Sequence, residues 1–151
     1  MAATYLKQLS LVLCFFLLAP LAYAEKRAGD EKYVPQAFQP GKDVVWVPTE
    51  YKLAEKMLNM ANVTARDYVV DLGSGDGRIV IAAAKRGAAA MGIEYNPDLV
   101  DLSIRNAIKE GVADKTKFVR GDIFESDFSK ATVITMFLLP ELNLKLRPII
   151  L

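Results

Sequence analysis

Val69-Val-Asp-Leu-Gly-Ser-Gly-Asp-Gly77 predicts a buried strand that runs into a glycine-rich turn. Glycine lets a backbone turn tightly and approach a ligand closely, because it carries no Cβ. The next stretch, residues 78–85, is rich in alanine and other helix formers and predicts a helix directly after the turn. In open α/β sheets, ligands bind just outside the carboxyl ends of the strands. These residues therefore predict a ligand site built from a strand, a turn and a helix.

The glycine spacing and an acidic residue, Asp71, narrow the class of ligand. The dinucleotide fingerprint is G-x-G-x-x-G, whereas these glycines follow G-x-G-x-G and Arg78 occupies the place of the third glycine. A carboxylate before the turn is a poor neighbour for pyrophosphate. It suits a ligand with positive charge, such as the ammonium and sulfonium of S-adenosylmethionine. A turn that only joins a strand to a helix is the alternative interpretation.

The run 69–77 resembles motif I of class I S-adenosylmethionine-dependent methyltransferases. The resemblance implies that Asp71 helps to hold the amino end of the methionine moiety, and that backbone amides of the turn approach its carboxylate. The turn residues assigned to the cofactor on this basis are Gly73, Ser74, Gly75, Asp76 and Gly77.

A second acidic residue, Glu94, ends the apolar run 88–94. An acid at the end of the second strand accepts hydrogen bonds from both ribose hydroxyls in NAD sites and in S-adenosylmethionine sites. Tyr95 is assigned to the same site. An exposed charge at a strand end is the alternative interpretation of Glu94. Asn96 and Pro97 predict the start of the next helix, with Asn96 as its N-cap.

A third acidic residue, Asp122, follows the predicted strand 116–120. In class I methyltransferases, an acidic residue at this position accepts a hydrogen bond from the adenine amino group, and the next residue packs on the adenine ring. Asp122 and Ile123 resemble this pair. A Gly-Asp turn without a ligand is the alternative.

Val47-Pro-Thr49 resembles a segment that borders the cofactor pocket in several protein-lysine methyltransferases. Thr49 is also predicted to cap a helix over residues 50–61.

Strand and helix patterns alternate along the chain after Asn62. Such alternation indicates parallel βαβ units, so the predicted fold class is α/β with a Rossmann-like class I methyltransferase sheet. Gly87 and Gly111 stand where glycine commonly ends a helix. The predicted strands cover residues 68–72, 89–94, 116–120 and 132–137, and the predicted helices cover 76–87, 97–111 and a segment from 140.

The stretch Thr135-Met-Phe-Leu-Leu-Pro-Glu-Leu-Asn143 lies where class I N-methyltransferases place their substrate-facing loop. Together with Val-Pro-Thr it resembles a small family of lysine methyltransferases. The eukaryotic members are membrane-anchored mitochondrial enzymes that modify inner-membrane proteins, including the ATP synthase c-subunit and the adenine nucleotide translocase. The resemblance covers residues 44–151 and implies S-adenosylmethionine as cofactor and a protein lysine as acceptor. The candidate substrate-side residues are Phe137, Leu138, Pro140, Glu141 and Asn143, and helix capping is the alternative for Pro140.

Residues 1–24 predict a secretory signal peptide. Lys7 precedes an apolar run over residues 9–18, and Ala22-Tyr-Ala24 offers an A-x-A-like cleavage site. This predicts an exported, extracytoplasmic domain. An uncleaved signal anchor that attaches the chain to a membrane is the alternative. Residues 25–43 predict a loose lead-in, followed by the methyltransferase domain over residues 44–151.

The composition excludes several classes of function. The chain has no histidine, and its one cysteine, Cys14, lies in the predicted signal segment. We therefore expect no metal site, no disulfide and no thiolate chemistry in the domain. Basic and acidic residues nearly balance, at 19 and 18, without an arginine-rich stripe or an aromatic platform, so we expect no nucleic-acid partner.

A class I methyltransferase sheet has seven strands, and the sequence predicts only the first four of them. We expect the chain to be truncated after the fourth strand, which leaves that strand with an unpaired edge and favours self-association.

Two rival functions stay open. Truncation and export favour a non-catalytic S-adenosylmethionine-binding module, and the position of Glu94 alone favours a nicotinamide-dependent oxidoreductase.

Overall fold

The computed structural model describes residues 33–151. The predicted signal segment and the first part of the lead-in lie outside the described residues. Within the described part, no helix combines the length and the apolarity that a membrane span requires.

A parallel sheet of four strands forms the centre of the described part, with the strand order β3-β2-β1-β4. The strands are β1 (Tyr68–Leu72), β2 (Ala89–Glu94), β3 (Thr116–Arg120) and β4 (Val133–Met136). The helices are α1 (Tyr51–Met60), α2 (Arg78–Lys85), α3 (Pro97–Lys109) and α4 (Pro140–Ile150), and a short 3-10 turn spans Ala113–Lys115. The predicted alternation of strands and helices is confirmed, with every boundary within two residues of its predicted place.

Alternate side chains of β1 pack into separate clusters. Val69 packs with α1 and α2 through Leu58 and Val80, whereas Val70 packs with α4 through Leu146. Because successive side chains of a strand point to opposite faces, Asp71 shares the face of Val69. The core thus places the acidic residue at the carboxyl end of β1 on the α1 and α2 side of the sheet.

Local signals in the sequence set most helix ends. The Asn96 side chain accepts a hydrogen bond of 2.9 Å from the Asp98 amide, as predicted for an N-cap. Gly87 and Gly111 have φ angles of 90° and 71°, the left-handed conformation that ends a helix. The helix predicted from residue 76 begins at Arg78, because Gly77 before it is also left-handed, with φ of 82°.

The prediction that Thr49 caps the first helix is wrong. Glu50 takes the N-cap position, and its side chain makes no capping hydrogen bond. Thr49 is instead buried, and its carbonyl accepts a hydrogen bond of 2.6 Å from Nη1 of Arg78. Thr49 thus contacts Arg78, the first residue of α2, and its side chain does not cap α1.

The structure differs from the loose lead-in predicted over residues 25–43, in the portion that it describes. Residues 38–46 form a narrow hairpin, which we call the strap. The Phe38 amide donates to the Trp46 carbonyl at 2.8 Å, and the Trp46 amide donates to the Gln39 carbonyl at 2.9 Å. An antiparallel bridge joins Pro40 and Val45 inside these two bonds. The strap is thus an ordered part of the domain.

Candidate functional site

One cavity opens at the carboxyl ends of β1, β2 and β3, beneath the strap. The empty space within it is about 970 Å³, a figure that includes open solvent at its mouth. All the predicted cofactor residues except Gly77 line it, namely Thr49, Asp71, Gly73, Ser74, Gly75, Asp76, Glu94, Tyr95, Asp122 and Ile123.

The glycine turn is held by hydrogen bonds to the end of β2. The amides of Gly73 and Ser74 donate to the Ile93 carbonyl at 2.9 and 3.1 Å, and the Gly75 amide donates to Oε2 of Glu94 at 2.9 Å. A Cβ on Gly75 would lie 2.7 Å from Nε1 of Trp46. The turn therefore fits beneath the strap only because this residue lacks a side chain.

Gly77 has a packing role. A Cβ at this position would come within 2.8 Å of the Phe118 ring and 2.9 Å of the Ser103 Cβ. Its φ of 82° is also a conformation that side chains disfavour. Gly77 thus lets β3 and α3 approach the turn closely, and it does not line the cavity.

Asp71 presents a buried carboxyl group to the cavity. The residue is only 2% exposed, and its Oδ1 accepts a hydrogen bond of 2.7 Å from the hydroxyl of Thr135. The pKa of this carboxyl is raised to about 7, chiefly by burial; the hydrogen bond from Thr135 acts to lower the pKa, and the nearby Glu94 and Asp76 carboxylates act to raise it. Ionising Asp71 in the folded state therefore costs free energy, and carboxyl groups with such perturbed pKa values are commonly found at functional sites.

Glu94 is oriented by two backbone amides. Its Oε1 accepts from the Asn96 amide at 2.9 Å, while its Oε2 accepts from Gly75. Each carboxylate oxygen has a further lone pair, so both remain able to accept hydrogen bonds from a ligand. The rigid geometry suits recognition of a pair of neighbouring hydroxyls.

Asp122 stands at the far side of the cavity and forms an ion pair with Lys42 at the tip of the strap. Its Oδ1 accepts a hydrogen bond of 3.0 Å from the Phe124 amide. The hydrogen bond from Lys42 and then that from the Phe124 amide hold the pKa of this carboxyl below its usual range. The Lys42 ammonium also lies 5.0 Å from the centre of the Tyr95 ring.

Comparison with known proteins assigns the chain to a family. The family model described as the ANTKMT methyltransferase domain matches residues 71–151. The chain belongs to this methyltransferase family. It is 45% identical to a protein-lysine N-methyltransferase of Saccharolobus islandicus (strain REY15A), over 70% of this chain and 66% of that protein. It is 43% identical to the human ATP synthase c-subunit lysine N-methyltransferase, over 67% of this chain and 43% of that protein.

A solved structure extends the likeness to three dimensions. The crystal structure of an RNA methyltransferase from Salinibacter ruber, in complex with S-adenosyl-L-homocysteine, is 52% identical. The match has a TM-score of 0.68 and covers 69% of each chain. The predicted Rossmann-like class I methyltransferase fold is confirmed. The chain spans less than half of the human relative's length and about two thirds of the archaeal relative's.

The cavity of the methyltransferase domain has the chemistry that S-adenosylmethionine requires. Three carboxylates, of Asp71, Glu94 and Asp122, line it from the ends of three successive strands. They offer acceptors for an ammonium, for ribose hydroxyls and for an adenine amino group. Ile123 adds an apolar surface beside Asp122. These residues fit the cofactor, and their contacts with it remain predictions.

The carboxylate of Asp76, in the turn after Asp71, has a different partner. Both oxygens of Asp76 accept hydrogen bonds from Arg78, at 2.8 Å from Nε and 2.5 Å from Nη2. Arg78 also donates to the Thr49 carbonyl, and it lies 4.8 Å from the centre of the Tyr51 ring. Arg78 thus joins the turn to the start of α1, a role that the sequence prediction missed.

The predicted substrate-side residues do not all lie at the same cavity. Phe137 and Leu138 line the cavity, together with Leu142, which the sequence prediction missed. Pro140 and Asn143 line a separate apolar pocket on the outer side of α4, and Glu141 lines neither. Helix geometry explains the division, because positions three residues apart share one face of α4. This second pocket, here called the α4 pocket, is lined by Met136, Pro140, Asn143, Leu144, Arg147, Ile150 and Leu151.

The strap is the part of the site that sequence reasoning missed most completely. Gln39, Lys42, Val45 and Trp46 all line the cavity. The available signal was the chain's single tryptophan, placed directly before the Val-Pro-Thr segment. A large aromatic side chain next to a segment that borders a cofactor pocket is a candidate wall of that pocket.

Proposed function

We propose that this domain transfers a methyl group from S-adenosylmethionine to the side-chain amine of a lysine in a protein. The observation that carries the proposal is the convergence of Asp71, Glu94 and Asp122 on one cavity at the carboxyl ends of three parallel strands. The relatives named as lysine N-methyltransferases, one for proteins in general and one for the ATP synthase c-subunit, support a lysine acceptor.

Each carboxylate takes one part of the cofactor in this proposal. Asp71 accepts from the ammonium, Glu94 from the ribose hydroxyls, and Asp122 from the adenine amino group, while Ile123 packs on the base. When bound, S-adenosylmethionine would supply an electrophilic methyl group for in-line displacement by the neutral acceptor amine: the N–C bond would form as the S–C bond breaks, S-adenosylhomocysteine would leave, and the methylated nitrogen would release a proton to solvent. The residues of the cavity contribute by holding the reactants in line, which is a large entropic advantage.

The wall formed by Phe137 and Leu138 prepares the acceptor. A lysine attacks only as the neutral amine, and an apolar surrounding lowers the pKa of an ammonium group because it disfavours the charged form. Phe137 lines the cavity and is half exposed, so it stands between the cavity and solvent. This position suits a side chain that guides a lysine inward from a protein surface.

RNA is the second candidate acceptor, because the Salinibacter ruber structure is described as an RNA methyltransferase. Binding to RNA depends on cations that neutralise phosphates and on exposed aromatic faces. At this cavity Lys42 and Arg78 are both engaged by carboxylates, those of Asp122 and Asp76. Because both cations are already paired with carboxylates, the cavity offers phosphate groups little positive charge, which favours a lysine over a nucleotide.

The cofactor is tested first, by isothermal titration of the full chain with S-adenosylhomocysteine and with NAD. We expect binding of S-adenosylhomocysteine alone, weakened at least about tenfold in Asp71→Asn and in Glu94→Gln, because each loses a charge-assisted hydrogen bond. Asp101→Asn is the matched control, because Asp101 is an exposed carboxylate of α3 outside the cavity. Binding of NAD alone would instead support a nicotinamide-dependent oxidoreductase.

The acceptor is tested next, with S-adenosylmethionine labelled in its methyl group. Protein and RNA from one cell lysate are offered separately, and labelled protein is hydrolysed for amino-acid analysis. Label in methyllysine supports the proposal, and label in RNA alone would overturn the choice of acceptor. Cofactor binding without transfer to either pool would support the non-catalytic binding module.

A further inference from the structure

Thr135 and Asp71 form a buried pair between two neighbouring strands. They are direct partners in the parallel pairing of β1 with β4, and the Thr135 hydroxyl donates to Oδ1 of Asp71 at 2.7 Å. Both residues are at most 5% exposed. Asp71 lines the cavity, whereas Thr135 lies behind it and outside the lining.

We propose that Thr135 is a positioning residue, which holds the Asp71 carboxylate as a charged acceptor at the cofactor cavity. This inference rests on the proposed function, because it gives Asp71 a cationic ligand to meet. Thr135 touches neither cofactor nor acceptor in this proposal, and it acts only through Asp71. A threonine on the fourth strand thereby becomes part of the cofactor site.

Among the described groups around Asp71, the Thr135 hydroxyl is the one that favours the charged form of the carboxyl. From β2 it faces the Glu94 carboxylate, and from the turn before α2 it faces the Asp76 carboxylate, both of which oppose ionisation. The cation at the start of α2, Arg78, is engaged by Asp76 and by a backbone carbonyl. Lys42 of the strap is engaged by Asp122.

Removing the hydroxyl therefore has a defined effect. Thr135→Val keeps the shape of the side chain and deletes the donor, so the buried carboxyl loses the hydrogen bond that lowers its pKa. We expect the carboxyl to titrate about one pH unit higher, because a hydrogen bond to a charged group has a net effect of this size. S-adenosylhomocysteine binding should then need a correspondingly higher pH.

The first experiment follows the carboxyl directly, by carbon NMR of the Asp71 side chain in the ligand-free full chain. The resonance is assigned by its loss in Asp71→Asn. We expect Thr135→Val to move the titration midpoint upward and Thr135→Ser, which keeps a hydroxyl, to leave it near that of the wild type. An unchanged midpoint in Thr135→Val would overturn the inference.

The second experiment measures S-adenosylhomocysteine affinity from about pH 6 to 9 in the same variants, a range that brackets the titration of a buried carboxyl. We expect the pH profile to shift upward in Thr135→Val and to be restored in Thr135→Ser. In the Asp71→Asn background, Thr135→Val should shift nothing further. A loss of affinity that is equal at every pH would assign Thr135 a purely structural role and overturn the inference.

The two experiments separate the two proposals. A wild-type chain that binds no S-adenosylhomocysteine defeats the proposed function, and the NMR midpoint then decides alone whether Thr135 holds Asp71. A wild-type chain that binds, with no change in Thr135→Val, leaves the proposed function in place and defeats only the inference. Circular dichroism of each variant shows that it is folded.

Discussion

Asp71 shows, at the scale of one residue, how a carboxyl group at the proposed cofactor site lowers the stability of the fold. The folded chain keeps this carboxyl almost wholly out of water, and burial raises its pKa from 3.8 to about 7. In this range of pH the folded state binds a proton that the unfolded state has released. Stability therefore falls as the pH rises from about 4 to 7, and above about pH 7 the full cost of the buried charge is present.

We predict that Asp71→Asn makes the ligand-free chain more stable at about pH 8, on the order of a few kcal/mol. The gain should shrink as the pH is lowered from about 7 toward about 4, and vanish below about pH 3, where the wild-type carboxyl is neutral in both states. Thermal denaturation at several pH values measures this difference. We expect the same substitution to weaken the binding of S-adenosylhomocysteine, a gain of stability at the expense of function.

The exposed Asp101 on α3 provides the control for this prediction. Asp101→Asn should leave the dependence of the melting temperature on pH close to that of the wild type. A lower melting temperature for Asp71→Asn in the alkaline buffer would contradict the prediction. It would show that the charge of Asp71 stabilises the ligand-free fold.

The strap, at the scale of elements, shows why part of the site cannot be seen in the sequence. The strands and helices carry local signals, such as the apolar run of β1 and the Asn96-Pro97 helix start. The ion pair of Lys42 with Asp122 joins residues 80 positions apart. The residues next to Lys42 in the sequence give no sign of its pairing with Asp122, so the sequence predicts a loose segment there.

Two other differences from the sequence predictions arise in different ways, one from a distant contact and one from helix geometry. Threonine is a common N-cap residue, but the Thr49 carbonyl accepts a hydrogen bond from Arg78, which is distant in the sequence. Phe137 and Asn143 belong to one motif in the sequence. Phe137 precedes α4 and lines the cavity, whereas Asn143 lies in the first turn of α4 and lines the α4 pocket. By contrast, the acidic residues that end the predicted strands needed only the parallel order of the strands to meet at one cavity.

The Lys42–Asp122 pair leads to a prediction about the strap. In the proposed function an adenine amino group shares the Asp122 carboxylate with Lys42, which already donates to its Oδ2. The Lys42 ammonium then draws on the negative charge that the adenine amino group would use, so the two donors compete. We predict that Lys42→Met binds S-adenosylhomocysteine about two- to fivefold more tightly at low salt, the modest effect expected of an exposed ion pair. The advantage should fade at high salt, because salt screens the wild-type pair. Calorimetric titration at two ionic strengths measures both effects.

Lys145→Met is the matched control for the strap, since Lys145 is an exposed lysine of α4 that does not line the cavity. Its binding should equal that of the wild type at both salt concentrations. Weaker binding in Lys42→Met would show instead that Lys42 contacts the ligand. The strap would then be a part of the binding surface and not a competitor for Asp122.

At the scale of the whole molecule, one side of the described sheet carries an apolar surface. Among the described residues, β4 pairs with β1 on one side only. The α4 pocket lies beside it and is mostly apolar. An uncovered strand edge next to apolar side chains favours pairing with another chain.

We predict that the purified chain self-associates through this side, in a way that depends on its concentration. Leu144→Lys, which places a charge in the α4 pocket, should shift the chain toward the monomer in light-scattering chromatography. Ile108→Lys is the matched control, because Ile108 on α3 is 62% exposed and Leu144 is 68% exposed. A monomer at every concentration in the wild type, or equal shifts in both variants, would contradict association through β4 and α4.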